Sequence, residues 1–201
     1  GQMAVKPPNP KYIPKPYEQM QYPGQRVQID VKFVPESCIV GEAKGQKFYQ
    51  YTAIDEYSRF RYLESFDEHM SYSSAQFIKH LIEKFPFRIE CVQTDNGMEF
   101  TKQLGNTQKP TPTLFERTLE QCGIRHKLIA PYTPRHNGKV ERSHRKDNEY
   151  FYATHSFYSF EDFKKQLSVH NRRYNNFPMR PLNWKSPADY LKAFLINGEV
   201  F

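Results

Sequence analysis

Three carboxylates in this chain have neighbours that suit metal chemistry. Asp30 closes the alternating run Arg26-Val27-Gln28-Ile29-Asp30. Asp95 ends the apolar run that begins at Ile89 and opens Asp95-Asn96-Gly97. Glu141 sits in Asn137-Gly138-Lys139-Val140-Glu141-Arg142, at the start of a basic helical segment. Two acids at strand ends and one on a helix can converge on hard divalent cations, which prefer oxygen ligands. Phosphodiester cleavage needs an activated nucleophile and a stabilised leaving oxygen, and two metals about 4 Å apart can serve both. Basic residues beside the acids give a phosphate backbone a reason to lie there. The pattern points to metal-dependent phosphoryl transfer on DNA.

Singly, each acid has a plainer reading. Asp30 could be a strand-end turn residue, although an isolated acid in an apolar alternation is costly unless paired. Asp95 could simply form a turn. Glu141 could be an acid placed early in a helix for the macrodipole. Glu99 reads as solvent-facing or salt-bridged, and Asp55 with Ser58 as a hairpin turn. Asn96 is a candidate to orient Asp95 or a substrate phosphate, with a turn role as its alternative.

The charge distribution supports the joint reading. The 201 residues carry a net +7. Between Arg125 and Lys146 seven Lys/Arg face one acid, Glu141, a net +6 in one stretch, whereas residues 55–100 hold nine acids against five bases. A cationic stretch around a single carboxylate fits a polyanion site. Arg135, His136, Asn137, Lys139, Arg142, Arg145 and Lys146 are the candidate DNA contacts. Glu141, Arg145 and Asn148 share one helical face, and Lys139, Arg142 and Lys146 the adjoining one. His170 to Asn176 offers a second basic and aromatic stretch, equally readable as a cationic helix end. Trp184 and the abundant Tyr and Phe read as core.

The elements that must position these groups follow from periodicity. Residues 1–24 form a proline-rich arm or linker. Strands are expected at about 26–34, 46–55 and 59–66, with a hairpin turn at 55–58. Helical spacing covers 71–85 and stops at Pro86. The strand leading to Asp95 follows, then a polar loop over 101–113. Thr113 caps a helix from Leu114 to Gln121, with Glu116 placed for a capping box and Gly123 as its stop. A short strand at 126–129, a loop at 131–138, and helices at 139–152, 160–174 and 187–196 complete the order, the last with Ser186 as cap and Pro187 in its first turn. The order predicts an α/β fold, a mixed five-stranded sheet flanked by helices. Three cysteines at scattered spacings suit reduced cytoplasmic thiols. No run approaches membrane-spanning length, and no His/Cys set has zinc-finger spacing.

The words Gln28-Ile29-Asp30, Thr94-Asp95-Asn96-Gly97-Met98-Glu99-Phe100 and Pro131-Tyr132-Thr133-Pro134-Arg135-His136-Asn137-Gly138-Lys139-Val140-Glu141-Arg142 resemble the catalytic core of retroviral-type integrases and bacterial insertion-sequence transposases. The tail Tyr174-Asn175-Asn176, Arg180-Pro181-Leu182 and Ser186-Pro187-Ala188-Asp189-Tyr190-Leu191 looks like the ending common in the bacterial transposases. One departure is the spacing: 45 residues separate Asp95 from Glu141, more than is usual in the family. The excess is expected in the loop 101–113.

The resemblance implies a ribonuclease H-like fold. It implies that Asp30, Asp95 and Glu141 bind two Mg²⁺ or Mn²⁺ ions and catalyse DNA strand cleavage and strand transfer. It also implies a bacterial, cytoplasmic, DNA-associated protein acting on double-stranded DNA as a homo-oligomer, without a membrane or small-molecule cofactor. The expected division is an arm at 1–24, a catalytic core at 25–176 and a C-terminal extension at 177–201 beside the core. Family members usually carry an upstream helix-turn-helix domain, so a core fragment is expected. The competing expectations are a nuclease that cuts without joining and an inactive DNA-binding module.

Overall fold

A computed structural model describes residues 18–102, 111–129 and 137–196. The strands are β1 (Val27–Phe33), β2 (Tyr49–Asp55), β3 (Arg61–Phe66), β4 (Cys91–Thr94) and β5 (Arg125–Leu128). The helices are α1 (Ser71–Lys84), α2 (Leu114–Gln121), α3 (Gly138–Asp147), α4 (Phe160–Asn175) and α5 (Pro187–Ile196). The sheet runs β3-β2-β1-β4-β5. β1, β2 and β3 pair antiparallel, while β1, β4 and β5 are parallel. This is the mixed five-stranded sheet expected from the order of elements.

The meander closes through its turn. Ser58 donates from both its backbone N and its Oγ to Asp55 Oδ2, at 2.7 and 2.6 Å, and Gly24 N donates to Oδ1. Asp55 is thus a buried hairpin former, as its spacing to Ser58 suggests. Burial pushes its carboxyl up, against the pull of those donors.

Strand residues two apart share a face. One face of β1 and β2 carries Val27, Ile29, Tyr51 and Ala53, which pack with Phe77, Leu81, Phe115 and Leu119 of α1 and α2 into the main core. The opposite face carries Gln28, Asp30, Gln50 and Thr52, and it receives α3. A second apolar cluster lies farther along, joining Phe48 and Leu63 to Phe151, Phe157, Phe163 and Leu167. The face is therefore polar under α3 and apolar at its margin.

Helix ends follow local rules. Thr113 caps α2 with the full reciprocal box, Glu116 N donating to Thr113 Oγ1 and Thr113 N to Glu116 Oε2. Ser186 Oγ accepts from Asp189 N at the start of α5. The helix expected at 139–152 ends as an α-helix at Asp147 and continues as a π-turn, Asn148–Tyr152, with Ala153 N donating to Asn148 O. The wider turn lets the consecutive residues Phe151 and Tyr152 both be buried.

Trp184 corrects an expectation. It is 71% exposed rather than part of the core. It stands on an irregular crossing between α4 and α5 and has a positive φ. Cys38 and Cys91 are buried, Cys122 is exposed, and all three are free. Among the described residues no helix is long and apolar enough to cross a membrane. The expected arm at 1–24 lies mostly outside the described residues, as does most of the loop at 101–113.

Candidate active site

β1 and β4 run parallel with Gln28 opposite Gln93. Two residues further on, Asp30 and Asp95 fall side by side on the same face. α3 crosses that face and brings Glu141 in its first turn. The charge of Asp30 reaches both other acids. Loss of hydration is the first reason the Asp95 carboxyl is raised above its ordinary value, and the charges of Asp30 and Glu99 add to it. Glu141 is raised for the same first reason and then by Asp30, with His144 opposing. Both residues remain exposed at their surfaces, so these are acids at the lip of a site rather than in the core.

The Asp95 loop is held from several directions. Gly97 N donates to Asp95 Oδ1 at 2.9 Å. Asn96 Nδ2 donates to Ile129 O at 2.8 Å, tying the ends of β4 and β5 together. Asn96 therefore sets the loop and makes no bond to the Asp95 carboxylate. Glu99 folds over Gly97, where an added Cβ would meet its carboxylate at 2.6 Å. His69 Nε2 stands 2.9 Å from Glu99 Oε1. Glu99 thus lies in contact with His69 while its charge still bears on Asp95.

The start of α3 is fixed by β1. Asn137 makes no side-chain cap. Instead Gln28 Oε1 accepts from the backbone N–H of Lys139 and of Val140, each at 3.1 Å. Gln28 Nε2 in turn donates to Glu56 Oε1 at 2.8 Å. Arg26 Nε also donates to Glu56, at 2.6 Å, and Lys139 Nζ donates to Glu56 O and Oε2. A buried carboxylate thereby gathers two cations and the residue that caps the helix. Burial, with Arg59 nearby, lowers the Lys139 ammonium to about 8 against the pull of Glu56.

The other end of α3 is fixed by Asp147. Its Oδ1 accepts from Arg61 Nη1 at 2.8 Å and lies 2.7 Å from His170 Nε2, and its Oδ2 accepts from Gln50 Nε2 at 2.8 Å. Burial opposes ionisation of Asp147, yet Arg61 and His170 hold its carboxyl well below the usual range. Between the two anchors runs a polar path. His144 Nδ1 is 3.4 Å from Asp30 Oδ2, His144 Nε2 is 2.9 Å from Thr52 Oγ1, and Gln50 Nε2 donates to Thr52 Oγ1 at 3.0 Å. Sequence reading passes over His144, although a residue three after Glu141 shares its helical face.

The candidate DNA contacts divide. Arg142, Arg145 and Lys146 are exposed on α3, with Lys146 paired to Glu149 at 3.1 Å. Two candidates are placed away from the surface. Lys139 is turned into Glu56, and Asn137 is buried at 4% exposure. Arg135 and His136 lie outside the described residues. The second basic stretch also divides: His170 faces Asp147, while Arg172 and Arg173 are exposed.

Among the described residues, no three His, Cys, Asp or Glu side chains are drawn together at metal-binding separation. The donor set nonetheless fits a hard divalent cation. The three carboxylates come from three parts of the fold, and the charge of Asp30 disfavours ionisation of the other two. A cation among them would remove that repulsion.

Residues 21–134 match the family model described as Integrase core domain, and residues 122–187 match a second model of the same description. A relative, "Putative integrase ORF3" of Spiroplasma virus SpV1-C74, is 27% identical over 175 residues, 83% of this chain and 47% of that protein. The chain thus spans about half the length of that relative. Among solved structures, the chain superposes on a chain of the simian T-cell lymphotropic virus intasome in complex with PP2A regulatory subunit B56 gamma. The TM-score there is 0.68 at 19% identity, covering 92% of this chain and 60% of that one. The catalytic core domain of BIV integrase gives a TM-score of 0.59 at 20% identity, covering 87% and 98%. That of HTLV-2 integrase in complex with magnesium, in a trimeric form, gives 0.60 at 17% identity, covering 84% and 97%. These likenesses establish the fold as ribonuclease H-like. With most of its length matched by that model, the chain belongs to the integrase core domain family.

Proposed function

We propose that this integrase core catalyses DNA strand cleavage and strand transfer, with Asp30, Asp95 and Glu141 as its catalytic acids. The observation that carries the reading is the reach of Asp30's charge to both other acids, each from a different element. Asp30, Asp95 and Glu141 would hold the ions, Asp30 on β1 being the acid whose charge bears on both others. Bound there, Mg²⁺ or Mn²⁺ would supply Lewis acidity at the attacking and leaving oxygens.

The chain's own residues supply the positioning. Gln28 and Asp147 pin the two ends of α3, so the bearing of Glu141 on Asp30 is set by buried hydrogen bonds. His144 holds Asp30 from the helix side. Arg142, Arg145 and Lys146 offer exposed cations to phosphates. Double-stranded DNA is the proposed partner, and homo-oligomerisation on DNA is proposed with support from the intasome and the trimeric form among the structural relatives. Residues 177–201 are proposed as an extension closed on the core, in keeping with Tyr57 packing against Tyr190 and Phe194 of α5.

The test is a joining assay with blunt and pre-cut DNA ends in Mg²⁺ or Mn²⁺. Joined products from pre-cut ends support the proposal. Cleavage of blunt ends without any joining assigns a nuclease, and DNA binding with neither activity assigns an inactive module.

A further inference from the structure

The crossing between α4 and α5 is a hydrogen-bonded loop with the chain's only tryptophan turned outward. Met179 N donates to Lys185 O and Trp184 N to Met179 O, each at 3.0 Å, closing the loop on itself. Its root is fixed to the sheet, because Arg61 N donates to Asn175 Oδ1 and Asn175 Nδ2 to Arg61 O. Leu182 is buried beneath it, and Ser186 caps the helix that follows. On this scaffold Phe177 is 68% and Trp184 71% exposed.

The backbone at the tip is unusual. Asn183 and Trp184 have φ of 53° and 63°, two successive left-handed residues. Asn tolerates that region, whereas a bulky side chain is a real outlier there. Strain of this kind persists where the surroundings over-determine it, and it is a reason to look for a role. Holding the largest apolar side chain in water, on a strained and hydrogen-bonded tip, does nothing for the core.

The charge around it says what it faces. From residue 163 to residue 188 the sequence contains six Lys/Arg and no acid. Arg172, Arg173, Arg180 and Lys185 are exposed in the same segment as the two aromatics. Cations bracketing exposed rings are the arrangement that tracks a phosphate backbone while bases stack on the rings. The interior bases of a duplex are already stacked and a blunt end offers only the outer face of its last pair, so an exposed ring takes up an unpaired base most readily.

We infer that the loop 176–185 is a docking surface for unpaired nucleotides at the end of a DNA duplex, with Trp184 as the stacking platform and Arg180 and Lys185 as its phosphate contacts. This rests on the proposed action on DNA, and it names a surface outside the three acids.

Trp184 is the single tryptophan of the chain, so its emission reports the contact directly. The experiment titrates the protein with a duplex carrying a 5′ single-stranded overhang and with the same duplex blunt-ended. Binding is followed in parallel by the anisotropy of labelled DNA. Quenching by the overhang duplex well beyond that by the blunt one is expected. Trp184→Gly removes the ring and suits the left-handed backbone, so it should unfold as cooperatively as the parent. It should weaken overhang binding about tenfold and leave blunt binding unchanged. Arg180→Ala with Lys185→Ala should weaken both.

Unchanged emission at saturating overhang duplex would overturn the inference while leaving DNA binding intact. Equal quenching by both duplexes would overturn the unpaired-base assignment. Emission that shifts with protein concentration alone, with a dimer in sedimentation, would make the surface a contact for a second copy. No anisotropy change with either DNA would overturn the underlying DNA reading as well.

Discussion

Gln28 and Val140 are 112 positions apart, yet Gln28 Oε1 accepts the Val140 N–H at 3.1 Å and so caps the helix that carries Glu141. The same strand carries Asp30 two residues on. One strand therefore places the first acid and sets the start of the helix that places the third. Any displacement of α3 along its axis away from β1 strains this bond.

The consequence for Gln28→Ala is direct. Two helix N–H groups lose their acceptor, and the buried Glu56 Oε1 loses one donor while keeping Arg26 Nε. We expect a stability loss of about 2 kcal/mol in urea unfolding, typical of a lost cap plus a buried unsatisfied group. Turnover should fall by more than DNA affinity does, because the change misplaces an acid rather than a phosphate contact. Equal losses in kcat and in DNA affinity would argue that Gln28 acts only through overall folding.

At the far end of α3, Asp147→Asn should be among the most damaging substitutions away from the acids. It leaves Arg61 buried beside a neutral group, a loss of about 3–5 kcal/mol. Because the folded carboxyl is held below its unfolded value, its contribution is present above about pH 4 and fades as pH falls further. Acid unfolding of the parent should therefore show a drop below pH 4 that Asp147→Asn lacks. Denaturant midpoints from pH 2.5 to 7 measure it.

Asp95 runs the other way. Its folded carboxyl is raised, so the stability it contributes is present below its unfolded value and lost as pH rises through the folded one. At neutral pH in chelator, Asp95→Asn should melt above the parent. Mg²⁺ or Mn²⁺ should raise the parent's midpoint by binding the folded state and leave the variant's nearly unchanged. Differential scanning calorimetry with and without metal reads both effects.

Much of the local structure is legible along the chain. The Thr113–Glu116 capping box, the Asp55–Ser58 turn and the Ser186 cap depend on residues within a few positions, and local rules find them. The mixed sheet follows from the meander and the later alternation of elements, whereas the order of its strands rests on long-range pairing. Asp30, Asp95 and Glu141 stand out because each interrupts a pattern. The Gln28 cap and the Glu56 cluster are invisible in sequence, since Lys139 lies 111 positions from Gln28 and 83 from Glu56, and even Gln28 and Arg26 lie 28 and 30 positions from Glu56. Lys139 reads as a surface cation because helical periodicity cannot show that a buried Glu56 waits beneath it. Trp184 reads as core because most tryptophans are, and its left-handed backbone has no sequence signature.

Lys139 and its neighbours should accordingly separate under salt titration. Neutralising Arg142 or Arg145 should lower the slope of log affinity against log salt by about one for each phosphate left without its cation. Lys139→Ala should instead destabilise the fold, because Glu56 loses a cation that touches it at 3.2 Å. Anisotropy titrations over a range of salt, beside urea midpoints, distinguish the two classes. A slope change for Lys139→Ala at unaltered stability would return it to the DNA surface.

The central claim is that three acids from three elements act as one catalytic group on DNA. The most direct measurement is strand joining by the parent and by Glu141→Gln, with pre-cut ends, Mn²⁺ or Mg²⁺, and DNA affinity determined on the same preparations. The account predicts joined products from the parent, none above background from Glu141→Gln, and DNA affinities that agree closely. Joining by a well-folded Glu141→Gln at the parent's rate would contradict it.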